Sequence, residues 1–237
     1  MNGHFLNCTD PANLEAVPLF PLPNVVLFPN ALLPLHIFEE RYKAMTADAL
    51  AGRRQIAMAL LSAGWEKCYH GRPAIEQVVC VGTIVSHERL ADGKFNFLLR
   101  GEMRATIERE LCCPSTPGAR LYRVAHLRPV VETDVMEIDL GHERQRLQTL
   151  LSEGWLARLP LVKQISSLLR GAMQTADIAD LLAFHLLEDI DLKQSILADG
   201  DIRRRVNRLI SALGCLERPV VDQILQDAAG LTDATRN

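Results

Sequence analysis

Apolar and polar positions follow two different periods along this chain, and the period changes near residue 133. Up to that point apolar residues recur at every second position or in short runs, the pattern of strands. The clearest stretch is 95–108. Phe95, Phe97, Leu99, Met103, Ala105 and Ile107 fall on one side, and Asn96, Arg100, Glu102, Arg104 and Glu108 on the other. Gly101 interrupts the apolar side and predicts a bulge. Val78–Val85 is apolar on both faces and predicts a central strand, with further strands at 55–61 and 121–131. Ala91-Asp92-Gly93-Lys94 predicts a hairpin turn, because glycine takes positive φ at no steric cost.

The first apolar stretch, Val17 to Leu35, is cut by Pro18, Pro21, Pro23, Pro29 and Pro34. Proline donates no ladder hydrogen bond, so one long central strand is excluded. Short strands around Leu19 and Val25–Leu27 are expected instead. Phe38, Tyr42, Met45 and Ala49 then repeat at helical spacing and predict a helix ended by Ala51-Gly52. A loop is expected at Pro114–Gly118.

Beyond Thr133 the spacing is helical. Leu140, Leu147, Leu150 and Leu151 predict one helix ending near Gly154, and Leu161, Ile165, Leu168 and Leu169 a second. A third, capped by Thr175, would bury Ile178, Leu181, Leu182 and Leu186. A short fourth covers Asp191–Leu197. Asp201 caps a fifth whose core face is Ile202, Val206, Leu209 and Leu213, and the tail after Pro219 adds one more turn. The expected organisation is a β-rich lobe over 1–133 and a helical lobe over 134–237, an α+β chain.

Composition narrows the function classes. The 237 residues are 48% hydrophobic but only 5% aromatic, so aliphatic side chains must fill the core. Net charge is −3; up to Thr133 there are 14 Lys+Arg against 13 Asp+Glu, and beyond it 12 against 16. Neither part has the basic excess that binding to phosphate backbones uses. The six cysteines form no C-x-x-C, which points to small core residues in a reducing compartment and away from zinc or iron–sulfur. No basic-then-apolar leader and no stretch of membrane-spanning length is present, so a cytoplasmic protein without a membrane segment is expected.

Motifs for chemistry are incomplete. His87-Glu88 and His142-Glu143 each begin an H-E-x-x-H, but Ala91 and Arg146 stand where the second histidine would be. His185-Leu-Leu-Glu188 is followed by Asp189 rather than histidine. No G-x-S-x-G, G-x-G-x-x-G or G-x-x-x-x-G-K-[ST] occurs; Gly93-Lys94 is followed by Phe95 inside the hairpin. Catalytic, cofactor and metal residues are therefore expected to be none. Arg203-Arg204-Arg205 with Arg208 reads as a solvated helix face, with contact to phosphate or an acidic partner as the alternative. The proline-rich stretch reads as core strands and turns. Its functional alternative is an apolar patch for protein partners, drawn from Phe28, Leu32, Leu33 and Phe38.

Pro18-Leu-Phe-Pro-Leu-Pro-Asn-Val-Val-Leu-Phe-Pro29, followed by Leu33-Pro-Leu-His-Ile-Phe-Glu-Glu-Arg-Tyr42, resembles the opening of the Lon protease N-terminal domain family. Val81-Gly-Thr-Ile-Val85 with the Asp92-Gly93 hairpin and Leu98-Leu-Arg-Gly101 continue the resemblance. Ala179-Asp-Leu-Leu182 through Lys193-Gln-Ser-Ile-Leu197 to Arg208-Leu-Ile210 extend it to about residue 213. The resemblance implies a PUA-like β-rich pseudo-barrel lobe followed by an α-helical bundle lobe. It implies a stand-alone substrate-recognition module that binds unfolded or client proteins and works with a separate protease, without the ATPase or Ser–Lys peptidase of full-length relatives. Self-association is left open. RNA binding, by analogy with other PUA-like proteins, is the alternative, and the charge balance argues against it.

Overall fold

The computed structural model describes residues 14–68, 71–111, 120–153 and 156–215, without the side chain of Cys68. The expected loop at Pro114–Gly118, the stop at Gly154 and the tail turn after Pro219 lie outside the described residues. So do Cys8, Cys112 and Cys113. The chain divides into two compact units. The first runs to Val131 and includes Lys193–Ala198; the second holds Glu132–Leu192 and the chain from Asp199.

The first unit is built on β1 (Val17–Leu22), β2 (Leu32–Ile37), β3 (Gln55–Leu60), β4 (Val78–Arg89), β5 (Phe95–Glu110) and β6 (Arg123–Pro129), with α1 (Glu40–Ala51) between β2 and β3. β1 pairs parallel with β3 and antiparallel with β6. β3–β4, β4–β5 and β5–β6 are antiparallel, so β1-β3-β4-β5-β6 returns to itself as a ring. Closure leaves those five strands without a free edge. β5 is 16 residues long because it serves two partners: its first half pairs with β2 and its second with β6. Leu14, Val17, Leu19, Ala57, Val79 and Leu127 are among the interior residues. Aliphatic and alanine side chains fill the centre, as the low aromatic content requires.

The bulge expected at Gly101 is present. β4 and β5 change register where Val81 faces Met103 and Gly82 faces Gly101, leaving Glu102 as the extra residue. Gly101 has a second role. Its N–H donates to the Ala31 carbonyl and its carbonyl accepts from Asn30 N–H, both at 2.9 Å. A Cβ here would lie 2.0 Å from the Phe28 carbonyl oxygen. The turn at 28–31, with Asn30 at φ 65°, thus lies directly on the glycine backbone.

This docking overturns the expected strand at Val25–Leu27. Those residues form a loop, with Val26 and Leu27 buried, and the strand begins at Leu32. β2 runs through Pro34 without loss. Ala31 turns its carbonyl toward Gly101, so by alternation residues 33, 35 and 37 face β5 with their peptide groups. Pro34 falls on the outer edge, where no ladder partner needs its missing N–H.

Two side chains depart from their expected places. Phe38 precedes α1, whose buried face is Tyr42, Met45, Thr46 and Ala49, and is 62% exposed. Arg104, expected on the solvent side, is buried, because its Nε donates to the Leu197 carbonyl at 3.1 Å.

The remaining helices are α2 (Gly141–Ser152), α3 (Pro160–Leu169), α4 (Thr175–Leu186), α5 (Ile190–Leu197) and α6 (Ile202–Cys215). α5 begins in the second unit and ends in the first, where Gln194 Nε2 donates to the Val78 carbonyl at 2.8 Å. In the second unit α2 packs on α3 and α6, and α4 on both of those. The buried face of α3 is Val162, Ile165 and Leu169; Leu168, expected there, is partly exposed. Asp201 caps α6 as expected, accepting from Arg204 N–H at 2.9 Å. Thr175 is not the cap of α4. It is the first helical residue, after Gln174, and its N–H donates to Glu137 at 2.9 Å, so a carboxylate from another segment satisfies this helix end. Arg144 joins the same cluster, bonding Glu137 and the carbonyls of Leu169 and Met173.

Asp199 couples the second unit to pH. Hydrogen bonds from Arg204 hold its carboxyl below the ordinary value of 3.8; burial opposes this, and the Asp201 N–H, Arg204 and Arg208 add to it. A depressed folded-state pKa contributes stability above the unfolded value and loses it as pH falls through the folded value. The helical unit should therefore keep this contribution above about pH 4 and lose it progressively below. Asp199→Asn should flatten the acid limb of a urea-midpoint-versus-pH curve, and parallel acid limbs in parent and variant would refute the linkage.

Candidate functional site

The outer face of β2 and its neighbours carries an exposed apolar surface in the first unit. Side chains alternate along a strand, so Leu32, Pro34 and His36 share one face, and all three are exposed. Leu32 is 47% exposed. The Phe38 ring continues the row, 6.2 Å from the His36 ring and inclined to it by 30°. Across the ladder Pro34 faces Leu98, Leu32 faces Arg100 and His36 faces Asn96, with a 2.7 Å bond from His36 Nδ1 to Asn96 Oδ1. Directly opposed residues share a face. Leu98 therefore joins the apolar centre, and Arg100, His36 and Asn96 form a polar rim. Val85, at the second register shift of β4, is 40% exposed.

Of the four residues singled out in sequence, Leu32 and Phe38 lie on this face. Leu33 is half-buried on the opposite side of β2. Phe28 has no exposed surface and belongs to the core, where the turn held on Gly101 places it. Pro34, Leu98 and Val85 were not singled out. Val85 lies at the second register shift of β4, which no glycine marks in the sequence.

A second feature of the same unit is a cleft of about 270 Å³, floored by Tyr42, Leu61 and Pro73 and walled by Pro21, Leu22 and Pro23. Arg41, Arg72, Arg120 and Arg123 also line it. Arg123 donates to Glu110 and, at 2.7 Å, to the Pro73 carbonyl. Its hydrogen bonds hold the Glu110 carboxyl below the ordinary carboxylate range, against the upward effect of burial. The sequence offered no signal for this cleft, because its residues come from five separated stretches.

The arginine run on α6 is not a plain solvated face. Arg203 bonds Glu143 and Arg204 bonds Asp199. Arg205 is buried, 2.7 Å from Glu132 and 3.8 Å from the buried Asp180. These guanidinium groups are already met by acids, which leaves little for phosphate. Glu143, from one incomplete zinc motif, accepts from Arg203 and Asn207 while His142 is exposed. Among the described residues no group of three or more His, Cys, Asp or Glu is placed to hold a metal ion. Cys80 is buried and Cys215 exposed. Among the described residues no helix is long and apolar enough to cross a membrane.

A five-stranded ring with an added outer strand, followed in sequence by a helical bundle, is the α+β fold of Lon N-terminal domains. The N-terminal domain of Mycobacterium avium complex Lon protease superposes with a TM-score of 0.65 at 18% identity, covering 86% of this chain and all of that one. A Lon N-terminal domain protein from Xanthomonas campestris gives 0.56 at 23% identity, over 83% of this chain and 98% of that one. The sequence model of the ATP-dependent protease La (LON) substrate-binding domain matches residues 16–214, and the chain belongs to that family. The Lon protease of Rhizobium meliloti is 29% identical over 217 residues, 89% of this chain and 25% of that one. Lon protease 2 of Herpetosiphon aurantiacus is 27% identical over 81% of this chain and 23% of its own length. The chain thus spans about a quarter of the length of these curated relatives, and the matched family region is the substrate-binding domain alone.

Proposed function

We propose that this chain is a cytoplasmic binding module, without chemistry of its own, that holds unfolded or client polypeptides by their exposed apolar segments and presents them to a separate protease. Membership of a substrate-binding family supports the general role. The observation that carries the reading is the outward apolar row of Leu32, Pro34 and Phe38 with Leu98 beside it. Each leucine or phenylalanine side chain covered by a partner contributes roughly 1.5–3 kcal/mol. Ordering a flexible client offsets part of that. Affinity should therefore be on the order of micromolar, about −8 kcal/mol.

Fluorescence anisotropy with labelled casein tests this. Leu32→Ser combined with Phe38→Ser should weaken binding about tenfold or more, with the melting temperature nearly unchanged because both side chains are exposed. Raising salt should change binding little. A correctly folded double variant that binds casein like the parent would refute the surface. Tight RNA binding that falls steeply with salt, with no casein binding, would replace this reading with the nucleic-acid one.

A further inference from the structure

We propose that the proline-walled cleft beside α1 binds the free C-terminal carboxylate of a polypeptide whose last residue is apolar. The inference rests on the reading that this protein takes polypeptides, and it names a feature of them that the β2 face cannot read.

The first argument is charge. Four arginines line the cleft, and two carboxylates, Glu39 and Glu110, are paired with them. The arginines divide by role. Arg123 is largely buried and spent on Glu110 and the Pro73 carbonyl, so it holds the wall in place. Arg41 donates to Glu39 at 2.9 Å and lies 4.6 Å over the Tyr42 ring. Arg72 is half-exposed and shares Glu110 with Arg123. Arg120 is exposed, and no carboxylate among the described residues pairs with it. The cleft therefore holds more guanidinium groups than carboxylates, and Arg72 and Arg120 are the two that can turn to a ligand. A guanidinium fork matches a carboxylate in two parallel hydrogen bonds.

The second argument is the floor. Tyr42, Leu61 and Pro73 are buried beneath the cleft, and Leu121 stands 64% exposed at its side. A free phosphate would use the arginines and leave this apolar surface wet. An anion attached to an apolar side chain uses both. The volume, about 270 Å³, lies just below the range that holds a drug-sized molecule, which fits one or two residues.

The third argument is direction. Pro21, Pro23 and Pro73 have no N–H to donate, so these walls make a poor ladder for an extended strand. A chain entering end-on needs no ladder. A chain ending in an apolar residue brings its terminal carboxylate to the arginines, whereas an apolar internal segment brings no charge.

The test uses the whole chain and two labelled octapeptides of identical sequence ending in leucine, one with a free carboxylate and one amidated. Anisotropy should show the acid binding at least tenfold more tightly than the amide, a preference that shrinks as salt rises. Arg72→Gln with Arg120→Gln should erase the preference and leave the weak binding of the amide. Both positions are exposed, and an unchanged circular dichroism melt confirms the fold. Equal affinities for acid and amide would overturn the proposal, as would displacement of the acid peptide by inorganic phosphate at the concentration at which N-acetyl-leucine displaces it. Casein binding, measured on the same samples, separates the two readings. Casein binding without an acid preference refutes the cleft and keeps the β2 surface. An acid preference without casein binding does the reverse.

Discussion

Gly101→Ala unfolds the first unit under conditions where the parent is folded. The added Cβ would lie 2.0 Å from the Phe28 carbonyl oxygen and 3.2 Å from Cys80 Sγ. The first contact is with backbone, which cannot rotate away as a side chain can. Relief requires lifting the turn at 28–31 from β5, and that breaks the two 2.9 Å bonds between Gly101 and residues 30 and 31. It also exposes Phe28, which is fully buried. The expected loss is upwards of about 3 kcal/mol, at the severe end for a single substitution. Gly214→Ala is the control. Among the described residues nothing lies within 4 Å of its added Cβ, and it sits in the last turn of α6. Alanine there should be neutral or stabilising by up to about 1 kcal/mol. Urea unfolding followed by circular dichroism compares the two, and a Gly101→Ala midpoint equal to the parent's would contradict the docking of the 28–31 turn on Gly101.

Arg205→Met has the second large effect, in the helical unit. Arg205 and Asp180 are each only 2% exposed, and the guanidinium also reaches Glu132 at 2.7 Å and the Asp199 carbonyl at 3.4 Å. Methionine restores much of the volume but takes the counter-charge from Asp180 where water does not reach. Removing one partner of a buried ion pair typically loses about 3–5 kcal/mol. Arg205→Met with Asp180→Leu should recover most of that, because no charge is left stranded where water does not reach and Glu132 is 37% exposed. Thermal melts of the two single variants and the double variant measure the coupling. Additive losses would show that the two side chains do not stabilise each other.

Much of the fold was legible in the residues. Alternation over 95–108 gave β5 with its inward phenylalanines, and Gly101 gave its bulge. The apolar run at 78–85 marked a strand lying between β3 and β5. Helical spacing beyond Thr133 gave α2 to α6, the α-helices of the described residues there, and Asp201 gave the cap of α6. These are local rules, set by which side chains share a face and which termini need an acceptor, and short windows contain them.

The errors share one cause. Val25–Leu27 is apolar enough for a strand, but burial against Gly101 satisfies the same preference as a loop. The strand at 32–37 was missed, although Pro34 excludes only a long central strand and β2 is a short strand at the edge of the sheet. Thr175 has cap chemistry, yet Glu137 caps α4 from 38 residues away. Arg104 and Arg205 read as outward charges and are buried, because acceptors from distant stretches come to meet them.

The candidate surfaces divide the same way. Composition and proline-punctuated apolarity determined that residues 17–42 hold an apolar segment cut into short pieces, since those properties belong to the chain itself. Which of its side chains face water was decided by tertiary structure alone. Phe28 turns inward and Leu32 and Phe38 outward because a turn closes on a glycine some 70 residues away, and no local period encodes that distance. The arginine-lined cleft is tertiary: its walls come from separated stretches, and the excess of positive charge exists only where the strands of the ring and α1 bring those stretches together.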